Sequence, residues 1–98
     1  MYGTIARMRV KSGAEGQIRK LMREYDSLKV PGLVTEYVYQ MDSDPREYYL
    51  AVVFESKETY LANASSPEQD ARYRQLRELL EADPGWHDGE IVVAGKQR

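Results

Sequence analysis

The chain has 98 residues, of which 42% are hydrophobic and 31% are charged, and this length and balance predict one domain over residues 1–98. Fourteen basic and sixteen acidic residues give a net charge of −2, which argues against a nucleic-acid-binding protein, because such proteins carry a clustered basic excess. The lack of cysteine and the single histidine exclude disulfides, a cysteine nucleophile and a histidine-rich metal site, so no metal site is expected.

The first third of the chain predicts a strand followed by a helix. Tyr2 to Lys11 alternates in the way of a strand. The side chains of one face are expected to be those of Tyr2, Thr4, Ala6, Met8 and Val10, with Ile5, Arg7, Arg9 and Lys11 on the other. Ser12 and Glu15 have the spacing of a helix-capping box, and Pro31 with Gly32 is expected to end the helix. Its apolar face is expected at Ile18, Leu21, Met22, Tyr25 and Leu28.

The middle of the chain predicts a hairpin. Val34 to Met41 alternates, with Tyr37 and Tyr39 on one face of the strand. Asp42 to Pro45 is a turn signal, and Tyr48 to Glu55 follows as the most apolar strand. Because this last strand shows little polar alternation, we expect it in mid-sheet with both faces covered.

The last third predicts a split helix and a final strand. Ser56 is expected to cap a short helix that carries Tyr60, and Ser66 is expected to cap the helix that follows. The core face of the later helix is expected at Tyr73, Leu76, Leu79 and Leu80. Trp86 to Ala94 predicts a strand with Ile91-Val92-Val93 at its centre.

This order of elements, β-α-β-β-α-β with a split second helix, is typical of an α+β ferredoxin-like fold with a four-stranded antiparallel sheet. The helices of such a fold cover only one face of the sheet. The predicted strands nevertheless carry apolar or aromatic residues on both faces, so a second covering layer is needed. The simplest layer is another copy of the same sheet, and we therefore expect a homodimer.

Three segments, together with this order of elements, carry a resemblance to a known family. They are Val30-Pro31-Gly32-Leu33 before the second strand, Phe54-Glu55-Ser56-Lys57-Glu58-Thr59-Tyr60 between the third strand and the next helix, and Ala64-Ser65-Ser66-Pro67 at the helix break. They resemble the corresponding junctions of the antibiotic-biosynthesis-monooxygenase-like family, whose superfamily holds cofactor-free oxygenases, haem-degrading enzymes, isomerases and proteins of unknown role. The resemblance implies that two copies pair as a dimeric α+β barrel.

Position by position, the resemblance implies a site around Tyr60. In the quinone-forming oxygenases of the family, a tyrosine at this position contacts a phenolic substrate. Phe54 stands where these enzymes have tryptophan, and Leu50 stands where they have asparagine. Either Arg72 or Arg74 would take the place of their later arginine.

Several of these residues have a plainer interpretation. Asn63 stands where the haem degraders ligate iron with histidine, and asparagine is a poor haem ligand, so no cofactor is expected. From the residues alone, Asn63 is either a polar group in a pocket or a helix C-terminal residue. Tyr60 is either a substrate contact or a core tyrosine whose hydroxyl reaches water. Tyr37 and Tyr39 are candidates for a pocket wall or for the dimer seam, and we favour the seam.

The remaining candidates lie near the last strand. His87 is the one side chain with an ordinary pKa near neutrality, which makes it a candidate acid or base against the alternative of an exposed histidine. Trp86 is a candidate substrate contact, and covering the apolar face of the second helix is the interpretation we favour. Glu36, Glu55 and Glu90 are acids on strands, but their spacing brings no two of them together, so no paired-carboxylate site is predicted.

Three functions follow from these expectations. The first is a cofactor-independent monooxygenase acting on a small phenolic or quinol-type aromatic substrate. The second is a non-catalytic homodimeric binding or scaffold protein whose pocket its own side chains fill. The third is an isomerase with His87 or a carboxylate as its base. The expected partners are a second copy and a small aromatic molecule, without nucleic acid or membrane, and the absence of a signal peptide or an apolar run of about 20 residues predicts a cytoplasmic location.

Overall fold

In a computed structural model, which describes residues 1–96, three helices cover one face of a four-stranded antiparallel sheet. The elements in chain order are β1 (Tyr2–Arg9), α1 (Glu15–Asp26), β2 (Leu33–Met41), β3 (Asp44–Phe54), α2 (Lys57–Ala64), α3 (Pro67–Glu78) and β4 (Gly85–Glu90). The strands lie in the order β2-β3-β1-β4, and each neighbouring pair is antiparallel. The predicted ferredoxin-like α+β fold is therefore confirmed.

The alternation along β1 separates the two faces of the sheet. Ala6 and Met8 are buried, whereas Ile5, which points to the opposite face, is 56% exposed. Ile18 of α1 and Leu76 of α3 pack in the same core as Ala6 and Met8. We call this side the helix-covered face and the side that carries Ile5 the open face.

The predicted starts of α2 and α3 are confirmed. The Ser56 hydroxyl accepts a hydrogen bond from the Thr59 backbone N–H at 3.1 Å, and Thr59 Oγ1 accepts one from the Ser56 N–H at 3.2 Å, which completes a capping box. At the start of α3, Ser66 accepts from the Gln69 N–H at 3.1 Å and Pro67 occupies the first turn. These two caps set the positions of the polar side chains on α2 and α3.

The predicted capping box of α1 is wrong. Ala14, not Ser12, is the N-cap, and no side chain caps this helix. Gly13 adopts a φ of 84°, and the tight turn brings the Ala14 N–H to the Lys11 carbonyl at 3.0 Å. The buried methyl group of Ala14 joins the core, so packing rather than capping sets the helix start. The helix also ends at Asp26, before Leu28.

The prediction for the last strand is also corrected. β4 ends at Glu90, and the expected centre lies outside it, with Val92 87% exposed and Val93 85% exposed. Within residues 1–96, the only strand beside β4 is β1, which begins at Tyr2 opposite Glu90. A strand lasts only while it has a partner, so the apolar residues that follow cannot extend it. The hairpin differs less from its prediction. β3 begins at Asp44, which lies inside the predicted turn.

Gly32 holds the segment that leads into β2 against α2, and its replacement should destabilise the fold. Its φ is +81°, and an added Cβ would lie 2.7 Å from Thr59 Oγ1. Gly32→Ala therefore combines left-handed strain of about 1–2 kcal/mol with steric overlap. We expect a loss of about 2 kcal/mol in the free energy of unfolding, measured by urea denaturation.

Gly13→Ala is the matched control for this substitution. Gly13 has a φ of +84°, but nothing lies within 4 Å of the position that its Cβ would take. This variant should therefore show the conformational strain without the overlap and lose about 1 kcal/mol. Equal losses in the two variants would contradict the role assigned to the contact with Thr59.

Candidate functional site

A cavity of about 430 Å³ lies between the helix-covered face and the helices. Most of its wall is apolar and includes Met22, Leu50, Phe54 and Leu76, which are all buried. The volume falls within the roughly 300–1,000 Å³ of typical small-molecule sites. The few polar groups that line it therefore decide what it can bind.

One row of residues across the sheet supplies the polar groups of the cavity floor. Glu36 of β2 is paired with Val52 of β3, Val52 with Thr4 of β1, and Thr4 with Asp88 of β4. All four line the cavity, and we call them the polar row after Glu36, Thr4 and Asp88. Because neighbouring strands lie about 4.8 Å apart, the backbones of Glu36 and Asp88 lie roughly 14 Å from each other at opposite ends of the floor.

Tyr60 of α2 lies at the Asp88 end of the polar row. Its hydroxyl donates a hydrogen bond to Asp88 Oδ1 at 2.9 Å. The ring contacts Phe54 edge-on, with centroids 5.5 Å apart, and Tyr2 at 5.3 Å. Burial, together with the neighbouring Asp88 carboxylate, raises the pKa of Tyr60 to about 12. The phenol is therefore neutral at physiological pH, with its proton committed to Asp88 and its oxygen free to accept a hydrogen bond.

Thr4, in the middle of the polar row, carries an unsatisfied hydroxyl. The residue is 5% exposed, and its Oγ1 has no hydrogen-bond partner within residues 1–96. The hydroxyl lies near enough to Tyr60 to oppose the rise of that phenol's pKa, but the geometry is not that of a hydrogen bond. A buried polar group without a partner costs about 1–3 kcal/mol. The cavity lies beside this residue, and the hydroxyl oxygen itself has almost no exposed surface.

Glu36 forms the opposite end of the polar row. It is half-buried, and it makes no hydrogen bond or ion pair to any other residue among 1–96. Burial raises the pKa of Glu36 above the ordinary glutamate value, and the negative charge of Asp26 adds to the effect. The cavity thus contains a carboxyl group that is a stronger base than an exposed one.

Arg72 and Asn63 stand between this cavity and a second one of about 440 Å³ beside Lys29. Arg72 Nε donates to Gln69 Oε1 at 3.1 Å, and its Nη2 donates to Asn63 Oδ1 at 3.4 Å. Among residues 1–96, no carboxylate forms an ion pair with Arg72. Its charge is held in place by neutral amides and is available to an anion in the cavity.

Tyr25 of α1 closes the cavity wall near Arg72. Its hydroxyl donates to the Arg72 backbone carbonyl at 2.5 Å. Burial raises the pKa of Tyr25 to about 12, so this phenol also stays neutral. The contact ties α1 to α3 and helps to fix the arginine.

Phe54 and Trp86 complete the aromatic part of the wall. Phe54 is 2% exposed and lies against Tyr60. Trp86 is 42% exposed and packs on Tyr73 of α3, with ring centroids 6.3 Å apart. Five of the residues that the sequence nominates therefore line one cavity, and these are Phe54, Tyr60, Asn63, Arg72 and Trp86.

The other nominated residues lie away from the cavity. Tyr37 and Tyr39 are 59% and 52% exposed on the open face and do not line this cavity. His87 is paired with Ile5 and is exposed on the same face. Arg74 has a side chain that is 78% exposed and pairs with Asp70 at 3.0 Å. The structure therefore separates Arg72 from Arg74 and removes His87 from the neighbourhood of Tyr60.

Four residues of the site, Thr4, Tyr25, Glu36 and Asp88, were not nominated from the sequence, although Glu36 was considered as one of three strand acids. Thr4 is the polar member of an otherwise apolar inward series, which is the signal that could have nominated it. Glu36 occupies an inward position on β2, but its place opposite Asp88 depends on the register of four strands. Tyr25 fits the apolar helix face so well that its hydrogen bond has no signal in the sequence.

Two other kinds of feature are absent from the described part of the chain. Residues 1–96 contain no group of three or more histidine, cysteine or acidic side chains placed to hold a metal ion. Over the same residues, no helix has the length and apolar character to cross a membrane.

Asn63 was the position compared with the iron-ligating histidine of the haem degraders. In the structure, its amide oxygen accepts a hydrogen bond from Arg72.

Comparison with protein families gives one match over most of the chain. The family model "Antibiotic biosynthesis monooxygenase" matches residues 1–75. No curated protein matches the sequence. The matched range includes the whole sheet except β4, together with α1, α2 and most of α3.

Solved structures resemble the chain over nearly its whole length. A Chloroflexus aurantiacus protein named after antibiotic biosynthesis monooxygenases has a TM-score of 0.80 and 26% identity, with 97% of this chain and 96% of that chain covered. A similarly named protein from Deinococcus radiodurans has a TM-score of 0.83 and 13% identity, covering 100% and 99%. SnoaB, a cofactor-independent oxygenase from Streptomyces nogalater, was compared as a point mutant and has a TM-score of 0.78 and 14% identity, covering 96% and 97%.

Proposed function

The chain belongs to the antibiotic biosynthesis monooxygenase family, and from this premise we propose that it is a cofactor-independent monooxygenase of a small phenolic or quinol-type aromatic molecule. The observation that carries the proposal is a cavity with apolar and aromatic walls whose floor includes Thr4, a residue with a buried hydroxyl that lacks a partner among residues 1–96. Such a hydroxyl suits an oxygen atom on an otherwise apolar ring. The cavity volume of about 430 Å³ suits a ligand of this class.

The proposed reaction places the chemistry on the substrate. A deprotonated, electron-rich aromatic reduces O₂, and a CH₂ group of the ring system becomes C=O with release of water. The protein then needs a dry pocket, an orienting contact and hydrogen bonds to the developing oxyanion. Thr4 is the donor to that oxyanion, Tyr60 accepts a hydrogen bond from a substrate hydroxyl, and Arg72 offsets the negative charge.

The open cavity favours an enzyme over a scaffold protein, because a scaffold of the kind considered above would fill its pocket with its own side chains. His87 is an unsuitable base for a reaction in this cavity, since it lies on the open face. Arg74 pairs with Asp70 and does not line the cavity, so the proposed mechanism assigns the role of the arginine to Arg72 alone.

Tyr60→Phe should lower the rate of oxygen consumption. The test uses purified protein, a panel of dihydroxyaromatics together with anthrone, and an oxygen electrode. Removing the phenol hydroxyl deletes one hydrogen bond to substrate, worth about 1 kcal/mol, and leaves Asp88 without its donor, so kcat/KM should fall about tenfold.

Tyr39→Phe removes the same hydroxyl from an exposed tyrosine on the open face and should leave the rate unchanged. If no compound in the panel supports more oxygen uptake with the unmodified protein than with Tyr60→Phe, the proposed function is wrong.

We also propose that the chain is a homodimer joined through its open faces. Ile5, Ala51 and Tyr37 form one row across this face, and Tyr39 and Tyr49 form the next. Ile5, Tyr37 and Tyr39 are each more than half exposed, although they lie on paired strands of the sheet. An apolar and aromatic surface of this kind is typical of an association site, and a second copy matches it in chemistry.

A further inference from the structure

We propose that Glu36 is the base that removes the acidic proton of the substrate in this cavity. The inference rests on the proposed function and deepens it, because the mechanism above needs a proton acceptor that neither Tyr60 nor Arg72 supplies. It starts from geometry: Glu36 lines the cavity from β2, is half-buried, and has no hydrogen-bond or ion-pair partner among residues 1–96.

Each neighbouring element contributes charged or titratable groups that line the same cavity as Glu36 or, in the case of Asp26, act on its charge. They are Tyr25 and Asp26 of α1, Tyr60 of α2, Asp70, Arg72 and Tyr73 of α3, and Asp88 of β4. Comparing their contacts shows which of them can accept a proton.

The other candidates are already engaged. Asp88 accepts the Tyr60 proton at 2.9 Å, and Asp70 pairs with Arg74 at 3.0 Å. Tyr25 and Tyr60 are neutral phenols whose pKa values are raised to about 12. Glu36 is therefore the carboxylate in the cavity wall that has no hydrogen-bond or ion-pair partner among residues 1–96.

The surroundings also suit Glu36 to this role. Burial, aided by Asp26, raises its pKa above the ordinary glutamate value. A carboxylate with a raised pKa accepts a proton more readily than an exposed one. Thr4, two strands away in the polar row, is placed to hold the oxygen on which the negative charge develops.

The proton balance closes within the proposed reaction. A C–H or O–H bond of the substrate breaks, the electron pair stays on the substrate, and the proton moves to a carboxylate oxygen of Glu36. The carbanion is oxidised by O₂, which is reduced to a substrate peroxide. The proton returns from Glu36 to the terminal peroxide oxygen, and loss of water leaves the C=O product.

The binding arm of the test uses 2-naphthol and its methyl ether, 2-methoxynaphthalene, as probes. An ionised Glu36 accepts a hydrogen bond from the naphthol, so affinity should be highest above the carboxyl pKa and fall as acid protonates Glu36. We expect the naphthol affinity to drop about tenfold between roughly pH 8 and pH 4, a range in which phenols stay neutral. The ether should show no such dependence, and Glu36→Gln should abolish it for the naphthol.

The activity arm measures oxygen uptake with anthrone. Glu36→Gln should lower kcat about a hundredfold, the scale of general-base catalysis, and remove the rise of kcat/KM with pH. Glu36→Asp should keep the pH dependence at a reduced rate. Glu55→Gln, an exposed acid beyond the end of β3, should match the unmodified protein.

Glu36→Gln is not expected to unfold the chain. The raised pKa of Glu36 makes the folded state bind more protons than the unfolded state. The free energy of unfolding therefore falls as pH rises from the pKa of this carboxyl in the unfolded state to its pKa in the folded state. A neutral glutamine removes that penalty at neutral pH, and thermal unfolding checks this.

The two arms separate the two proposals. If the unmodified protein consumes no oxygen, the proposed function fails, and the binding arm still decides the role of Glu36. If oxygen uptake is observed but Glu36→Gln keeps its rate and pH dependence, the inference about Glu36 is overturned and the function stands. Naphthol binding that is absent, or that does not depend on pH, also overturns it.

Discussion

Thr4→Val should make the protein more stable and far less active. Valine has nearly the shape of threonine and favours strands, so the packing of β1 should survive the change. The substitution removes a buried hydroxyl that has no partner among residues 1–96, and we expect the free energy of unfolding to rise by about 1–2 kcal/mol. Urea denaturation measures this directly.

The same substitution should lower kcat for oxygen uptake by about 10²–10³-fold. This is the scale seen when one donor to an oxyanion is removed, because a preorganised donor acts where the negative charge develops. The opposite signs of the two effects distinguish a functional hydroxyl from an ordinary packing residue, whose loss would lower both quantities.

Thr35→Val is the matched control. Thr35 lies on the open face of β2, paired with Val53, and outside the cavity lining. The Thr35→Val substitution should change kcat for oxygen uptake by less than about twofold, since no contact with substrate is lost. A Thr4→Val variant with normal kcat would contradict the assignment of this hydroxyl to the oxyanion.

Ala51→Arg should convert the proposed dimer into monomers. Ala51 lies at the centre of the open face, between Ile5 and Tyr37. In a dimer formed through this face, two arginines would be buried without partners, at a cost of several kcal/mol. We expect the dissociation constant to rise at least about 1,000-fold, equivalent to about 4 kcal/mol. Light scattering after size-exclusion chromatography and sedimentation equilibrium measure the change.

Ala71→Arg adds the same charge on the exposed surface of α3 and should leave the oligomer unchanged. Because the arginine introduced by Ala51→Arg would be solvated in a monomer, both variants should fold, and circular dichroism checks this. A monomeric unmodified protein, or a dimer that persists in Ala51→Arg, would contradict the proposed interface.

Local patterns predicted the fold well because they report which side of an element is buried. The alternation in β1 placed Ala6 and Met8 on one face, which the structure buries, and the serines at 56 and 66 marked the starts of two helices. The predicted extent of β4 was wrong, and the residues of β4 alone could not reveal the reason. β1 begins at Tyr2 and offers no partner beyond Glu90.

The site was predictable only where it followed a local motif. Tyr60 and Asn63 lie on a helix whose start the sequence marks, and both reach the cavity. Glu36 and Asp88 come from distant parts of the chain, and only the register of β2, β3, β1 and β4 places them in one row. The distinction between Arg72 and Arg74 depended on the direction in which α3 faces the sheet.

The position of Trp86 gives the protein an intrinsic optical probe. The chain has a single tryptophan, and its indole lies in the cavity wall against Tyr73. Because the ring is part-exposed, a molecule that enters the cavity should displace water from it and alter its emission without interference from a second indole. Occupancy of the site can thus be followed in the unlabelled protein, including variants that turn over no substrate.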